Sequence, residues 1–348
     1  MEAVKQMLQT WVQEGLLPGA SLRVVQKGRV ILAADVGKTS CTAEGHPVSP
    51  DTLFDLASLT KVTATLPAVL LLLQEGLLRE NDPLSRFFPD CPEEKRGITI
   101  AQLLTHTSGL PADLAERSRD GSIALPGQLY KIPLANAPGE RVVYSDIGMI
   151  WLGLLIEKVT HESFDQFLER RLWTPLEMKQ TCFRPYGDFF PNIASTEYCH
   201  LANRYITGEV HDEKAFVMGG VAGHAGLFST ADDLCRYAQM WMTGTPPLLS
   251  EETRKQAIRC HTQGKGGSRG FGWEINGHEG NNSCGSGFSR SSFGHTGFTG
   301  TSLWIDPEQE LAVIFLTNAV HLGRDHSLRR LRPILHDAVT AQLKKSLA

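Results

Sequence analysis

Short β-rich apolar runs stand near both ends of the chain, and between them apolar positions recur at helical spacing. After a first amphipathic helix ending near Gly15, Ala20 to Gln26 and Arg29 to Ala34 read as two strands around Lys27-Gly28. Near the other end, Gly300 to Ile305 and Glu310 to Thr317 read as a second hairpin around Asp306-Pro307, followed by a helix that Pro333 starts. The middle differs: Ser58 to Glu75, Ile150 to Thr160, Ser163 to Leu172 and Ala231 to Met242 are helical by apolar spacing, and Gly76 is placed to cap the first of them. The pattern predicts an α+β protein with an antiparallel sheet built from both chain ends, flanked by terminal helices. Residues 1–55 and 285–348 form that sheet subdomain, residues 56–284 form a mostly helical insertion, and the cleft between them holds the site. Gly264 to Gly287, rich in Gly, Ser and Asn, reads as loops.

Composition narrows the function. The chain has 348 residues, 41% hydrophobic and 21% charged, enough for a sizeable core. With a net charge of -4 and no run of Lys or Arg, it lacks the electrostatics to hold nucleic acid or an anionic membrane surface. The longest apolar stretch, Ala64 to Leu73, falls short of the roughly 20 residues of a membrane span and belongs in a core. The opening Met1-Glu2-Ala3-Val4-Lys5-Gln6 lacks the basic start and apolar run of a secretory signal, so a cytoplasmic location is expected. The 7 cysteines are scattered without a Cys-x-x-Cys pair, which predicts neither a disulfide framework nor a zinc site.

Three segments carry chemistry. Ser58-Leu59-Thr60-Lys61 puts a serine at a helix start and a lysine one turn on, sharing its face. A serine hydroxyl needs a base, and a lysine serves only if burial or neighbouring charge lowers its pKa. The helix N-terminus adds N–H groups for an oxyanion. Ser-x-x-Lys alone is expected about once by chance in such a length, and a surface serine near a snorkelling lysine is the plain alternative. Tyr144-Ser145-Asp146 precedes an apolar helix from Ile147 onward, and a phenol beside an ammonium can accept or relay a proton. Alone, it is more simply a core or loop tyrosine. In His295-Thr296-Gly297, Gly297 leaves room for a substrate backbone, Thr296 offers a hydroxyl and His295 a donor for a carboxylate or carbonyl.

In this order the three segments resemble the active-site triplet of the serine β-lactamase and penicillin-binding superfamily. The chain is most similar to the branch of class C β-lactamases, D-alanyl-D-alanine carboxypeptidases, β-lactamase-like carboxylesterases and muropeptide amidases. Leu103-Leu104-Thr105-His106-Thr107-Ser108-Gly109-Leu110 and Gly223-His224-Ala225-Gly226-Leu227-Phe228-Ser229-Thr230 extend the likeness over nearly the whole chain. The resemblance implies the β-lactamase/transpeptidase-like fold, with Ser58 as acylated nucleophile and Lys61 and Tyr144 as the proton-transfer pair, either of them the base. It further implies an oxyanion hole from the backbone N–H groups of Ser58 and Phe298, and Asp146, His295, Thr296 and Gly297 against the substrate. Neither cofactor nor metal is implied. The partner that the resemblance implies is a small ester, amide or β-lactam.

Two positions depart from the class C pattern. His295 stands where lysine is usual, so a fixed cation for a substrate carboxylate is missing, and binding of such substrates should weaken as pH rises through about 6.5. Asp146 stands where asparagine is usual and brings a negative charge beside Lys61. A non-catalytic sensor that acylates and stops is the alternative from another class, and intact Ser58, Lys61 and Tyr144 argue against it.

Other matches are weaker. Gly266-Gly267-Ser268-Arg269-Gly270 fits Gly-x-Ser-x-Gly, but that motif needs a strand before and a helix after, whereas Phe271-Gly272-Trp273 here reads as a strand. His106 beside Ser108 reads as a turn residue bonded locally, and His224 either lines the cleft or holds its own turn. His161-Glu162 and His278-Glu279 lack the second histidine of a zinc motif. Pocket shape is expected to depend on Ser118 to Tyr130 and Phe189 to His211.

Overall fold

The two terminal hairpins lie side by side in one sheet. The computed structural model describes residues 1–114, 119–120, 125, 127–185, 190–277, 283–325 and 327–347. The His278-Glu279 pair and parts of the two pocket loops fall outside these. The strands, in chain order, are β1 (Gly19–Gln26), β2 (Arg29–Gly37), β3 (Phe54–Asp55), β4 (Cys182–Phe183), β5 (Tyr198–Cys199), β6 (Arg204–Tyr205), β7 (Leu227–Ser229), β8 (Glu274–Ile275), β9 (Phe293–Thr296), β10 (Ser302–Asp306) and β11 (Leu311–Thr317). The main sheet runs β2-β1-β11-β10-β9-β8, with every pair antiparallel. It thus takes in β8, which belongs to the 56–284 stretch of sequence.

Strand alternation explains why β11 is buried at every position. In the β1–β11 register, Leu22 opposes Phe315 and Val24 opposes Val313. These four face a core closed by the helices Glu2–Gln13 and Leu328–Leu347 through Val4, Leu8, Leu331, Leu335 and Val339. The intervening Ala312, Ile314 and Leu316 face a larger core shared with the helical middle. The sheet is therefore covered on both faces and reads as a continuous apolar run.

At the heart of the larger core, a 3₁₀ turn (Ala57–Leu59) and a wide π turn (Lys61–Thr65) lead into the α-helix Leu66–Gln74. The 18-residue stretch Ala57–Gln74 is long and apolar enough to cross a membrane, but 83% of it is buried inside the fold. Gly76, at φ +74°, follows its end, and the Leu77 N–H turns back to the Leu72 carbonyl. Beside it packs the helix Asp146–Thr160, capped by the Ser145 hydroxyl accepting from the Gly148 N–H at 3.3 Å.

Two local expectations fail. The last helix begins at Leu328 and runs through Pro333, because the turn before the proline buries Leu328, Leu331 and Arg332, while the proline removes only one backbone bond. Phe271-Gly272-Trp273 is not a strand: Gly272 turns at φ +70° to give its N–H to the Leu104 carbonyl, and the strand forms one residue later.

Candidate active site

Ser58 sits on a strained corner. The residue before it, Ala57, has φ +46°, a conformation unfavourable for any side chain. The buried Asp55 holds this turn by accepting from the Ala57 N–H (2.8 Å) and the His211 N–H (2.7 Å). Burial holds the Asp55 carboxyl above its ordinary pKa against the pull of those two donors. One turn on, the wholly buried Lys61 places its Nζ 2.8 Å from Ser58 Oγ and donates to the His224 carbonyl at 2.9 Å. The shared face of Ser58 and Lys61 and the burial of Lys61 are thus as expected. The expected fall in lysine pKa is not: burial pushes the ammonium down, but Asp146 and Tyr144 outweigh it and hold it above its ordinary value.

Asp146 is the reason. Its Oδ1 lies 2.8 Å from Lys61 Nζ and its Oδ2 lies 3.3 Å from Lys214 Nζ. Burial raises a carboxylate pKa, but Lys61, His224 and Lys214 bring this one down to about 2. Lys214 also reaches Asp113 (2.9 Å) and Asp212 (3.0 Å), and Asp212 Oδ1 meets His224 Nε2 at 2.7 Å. His224 therefore supports the cleft from beneath, by its carbonyl under Lys61 and its ring on Asp212, while being wholly buried itself. Asp146, Asp212 and His224 offer ligand atoms within 4.8 Å of one another, but two ammoniums already neutralise these carboxylates and would repel a dication.

The Tyr144 ring is boxed by four groups. Its centroid is 4.7 Å from that of His106 and 5.7 Å from that of His295. Lys61 Nζ stands 5.1 Å from the same centroid, and the Arg269 guanidinium 5.3 Å. His106 corrects the local-turn reading: its Nδ1 accepts the Ser145 N–H at 3.1 Å, across 39 residues of sequence, and fixes the segment that carries Tyr144.

The end of β9 is clamped against the Ser58 corner. Thr299 and Thr301 hydroxyls donate to the Asp55 and Leu56 carbonyls at 2.7 and 3.0 Å, and Arg332 donates to the carbonyls of Gly297 and Thr301 at 2.7 and 2.9 Å. Gly297 is required by the protein itself: a Cβ there would strike the Thr301 hydroxyl and the Leu56 carbonyl. The sequence reading gave that space to a substrate backbone. Ser58, Tyr144, Arg269, His295, Thr296, Gly297 and Phe298 line one cavity of about 700 Å³. A larger one, about 1250 Å³ and walled by Phe190, Tyr198, Tyr205 and Phe216, has none of these residues in its lining.

His295 does not titrate where expected. It is 4% exposed, and burial first, then Arg269 and Lys61, hold its pKa well below the ordinary imidazole value. Its Nδ1 lies 2.8 Å from the Thr296 carbonyl, which can only accept, so Nδ1 carries the proton and Nε2 is a bare acceptor. Arg269 lines the same cavity as a fixed cation; its Nη1 is buried with no hydrogen-bond partner, and no ion pair engages it among the described residues. Arg324, also at the cavity, is committed to Glu197 and Glu213.

The sequence reading missed Arg269, Lys214, Asp212, Asp113 and the support from His106. Arg269 lay inside the rejected Gly-x-Ser-x-Gly match, whose Ser268 is not in the cavity lining. A lysine two residues from an aspartate in Asp212-Glu213-Lys214 was the one available signal for the buried network.

A family model described as Beta-lactamase matches residues 4–337. The chain is 31% identical over 360 residues to a Salmonella agona protein named D-alanyl-D-alanine carboxypeptidase, covering 90% of this chain and 82% of that one. A relative of the same name from Salmonella paratyphi B is 32% identical over the same shares. Among solved structures, EstCE1, a hydrolase with promiscuous acyltransferase activity, superposes with a TM-score of 0.79 at 24% identity, over 97% of this chain and 98% of that one. A class C β-lactamase gives 0.78 at 21% identity, over 97% and 95%. Both have the fold described above.

Proposed function

Because the chain belongs to the β-lactamase family and is a serine hydrolase, we propose that it cleaves small esters or amides, including D-amino-acid or cell-wall-derived amides, through an acyl-enzyme on Ser58. The observation that carries this reading is the 2.8 Å approach of the buried Lys61 Nζ to the Oγ of Ser58, which lines the same cavity as Tyr144 and the His295-Thr296-Gly297 strand end.

Ser58 Oγ attacks the substrate carbonyl while its proton leaves toward Tyr144. Lys61, kept charged by Asp146, is a poor acceptor at rest; with Arg269 it instead places positive charge about 5 Å from the ring of Tyr144, the side chain that takes the proton. The oxyanion is taken by the backbone N–H groups of Ser58 and Phe298. Tyr144 then hands the proton to the leaving group, and water repeats the sequence to free the acid.

The carboxypeptidase reading stands second, supported by the relatives' name and by Arg269 as a cation for a substrate carboxylate. A panel of p-nitrophenyl esters, D-alanyl peptides, muramoyl-peptides and nitrocefin separates the readings. Turnover of esters or muramoyl amides with little nitrocefin hydrolysis supports the first, release of terminal D-alanine the second, and a single burst without turnover would leave only a ligand sensor.

A further inference from the structure

We propose that Lys214 is a positioning residue for acyl transfer at Ser58: it fixes one oxygen of Asp146 and limits the negative field that this carboxylate exerts on the Lys61–Tyr144 pair. This rests on the roles given above to Ser58, Lys61 and Tyr144.

Lys214 lies in the short helix Glu213–Val217, 1% exposed, with its Nζ among Asp113, Asp212 and Asp146 at 2.9, 3.0 and 3.3 Å. Burying an ammonium is costly without paired charge, and Asp113 and Asp212 alone would provide it. The third contact ties the network to the reaction. Asp146 divides its two oxygens between two ammoniums, Lys61 on Oδ1 and Lys214 on Oδ2. A closed circuit follows, from Lys61 through Asp146, Lys214 and Asp212 to the His224 ring, and from the His224 carbonyl back to Lys61.

The charged and titratable groups around Asp146 come from every side. Lys61 faces it from the π turn, Lys214 and Asp212 from the 212–217 segment, His224 from the loop before β7, and Asp113 from beyond Lys214. Tyr144 lies two residues upstream, with Arg269 and His295 beyond it. Of these, the two lysines are the cations in contact with the carboxylate. With Lys214 in place, part of the Asp146 field is spent on a charge that takes no part in proton transfer. Without it, the Asp146 charge is balanced by Lys61 alone, its field opposes the proton-accepting state of the Lys61–Tyr144 pair more strongly, and the acidic limb of kcat/KM moves to higher pH.

The test is the pH profile of kcat/KM on a neutral p-nitrophenyl ester for the wild type, Lys214→Met, Asp146→Asn and the double variant. Lys214→Met should move the acidic limb up by about half to one pH unit, a fall of about three- to tenfold on that side, with the loss shrinking as pH rises. In the Asp146→Asn background the same change should produce less than half that movement, because Lys214 acts through Asp146. An equal movement in both backgrounds, or a loss uniform in pH, would overturn the proposal and leave Lys214 a buried structural charge. Lys214→Gln, which keeps donors for the three carboxylates, is held to the same outcomes if the methionine variant does not fold by circular dichroism. Activity surviving Ser58→Ala would remove the reading beneath; an enzyme labelled at Ser58 whose limb ignores Lys214 would remove this inference alone.

Discussion

The Asp146 carboxylate meets the Lys61 ammonium at 2.8 Å, directly beneath the Ser58 hydroxyl. On the mechanism proposed for Ser58, this pair is expected to set the pH range of the reaction. The Coulomb attraction, on the order of 4 kcal/mol at 4 Å and an effective dielectric near 20 before desolvation, opposes proton loss from Lys61, and the Asp146 charge bears on the proton-transfer pair as a whole. Asp146→Asn removes the charge with little change of shape. The acidic limb of kcat/KM should move to lower pH by about one unit, with some loss at the old optimum, since a less basic group accepts a proton less well. A limb that moves upward would contradict the sign of the argument.

Anion recognition should depend on Arg269 and not on the protonation of His295. Since burial, Arg269 and Lys61 keep His295 neutral, KM for carboxylate-bearing esters should be flat between about pH 5.5 and 8. Arg269→Gln should lower the preference for a hemisuccinate ester over the matching neutral ester by about tenfold, the loss of one charge-assisted contact. An unchanged ratio would show that the guanidinium does not meet the substrate.

His106 should matter for stability. Replacing it with alanine leaves the buried Ser145 N–H without its acceptor, at a cost of about 1–3 kcal/mol, to be read from the midpoint of urea unfolding. A change below about 0.5 kcal/mol, the range of an ordinary surface substitution, would mean that the bond does not anchor this segment.

Gly297→Ala should be disruptive although the added group is one methyl. The Thr301 hydroxyl can move, but the Leu56 carbonyl is backbone two residues from Ser58. The strand end must shift away from the nucleophile, so turnover should fall by at least about tenfold and stability by about 1–3 kcal/mol. Full activity would show that β9 is not held tightly against the Ser58 corner; kcat for a short ester reports it.

Much of this site was legible in the chain. Ser58 and Lys61 share a helical face by spacing alone, and the two hairpins announced the sheet through their turn residues. The resemblance ordered Tyr144 and His295 around them. What was not legible comes from distant parts of the chain: Lys214 touches Asp146 although the two lie 68 positions apart in the sequence, and no periodicity marks a buried lysine. Arg269 follows a loop, and only folding sets it over Tyr144. His295 looked like a pH switch because its ordinary pKa was the sole guide; burial on β9 beside two cations decides otherwise. Pro333 misled because a helix-start preference was read without the buried turn that precedes it.

The account stands most directly on where an acyl-type label attaches. Treatment with a fluorophosphonate, followed by proteolysis and mass spectrometry, should place the adduct on Ser58, and Ser58→Ala should lose both the label and at least about a thousandfold in ester turnover. An adduct on Ser268 or any other residue, with Ser58 unmodified and Ser58→Ala still active, would contradict it.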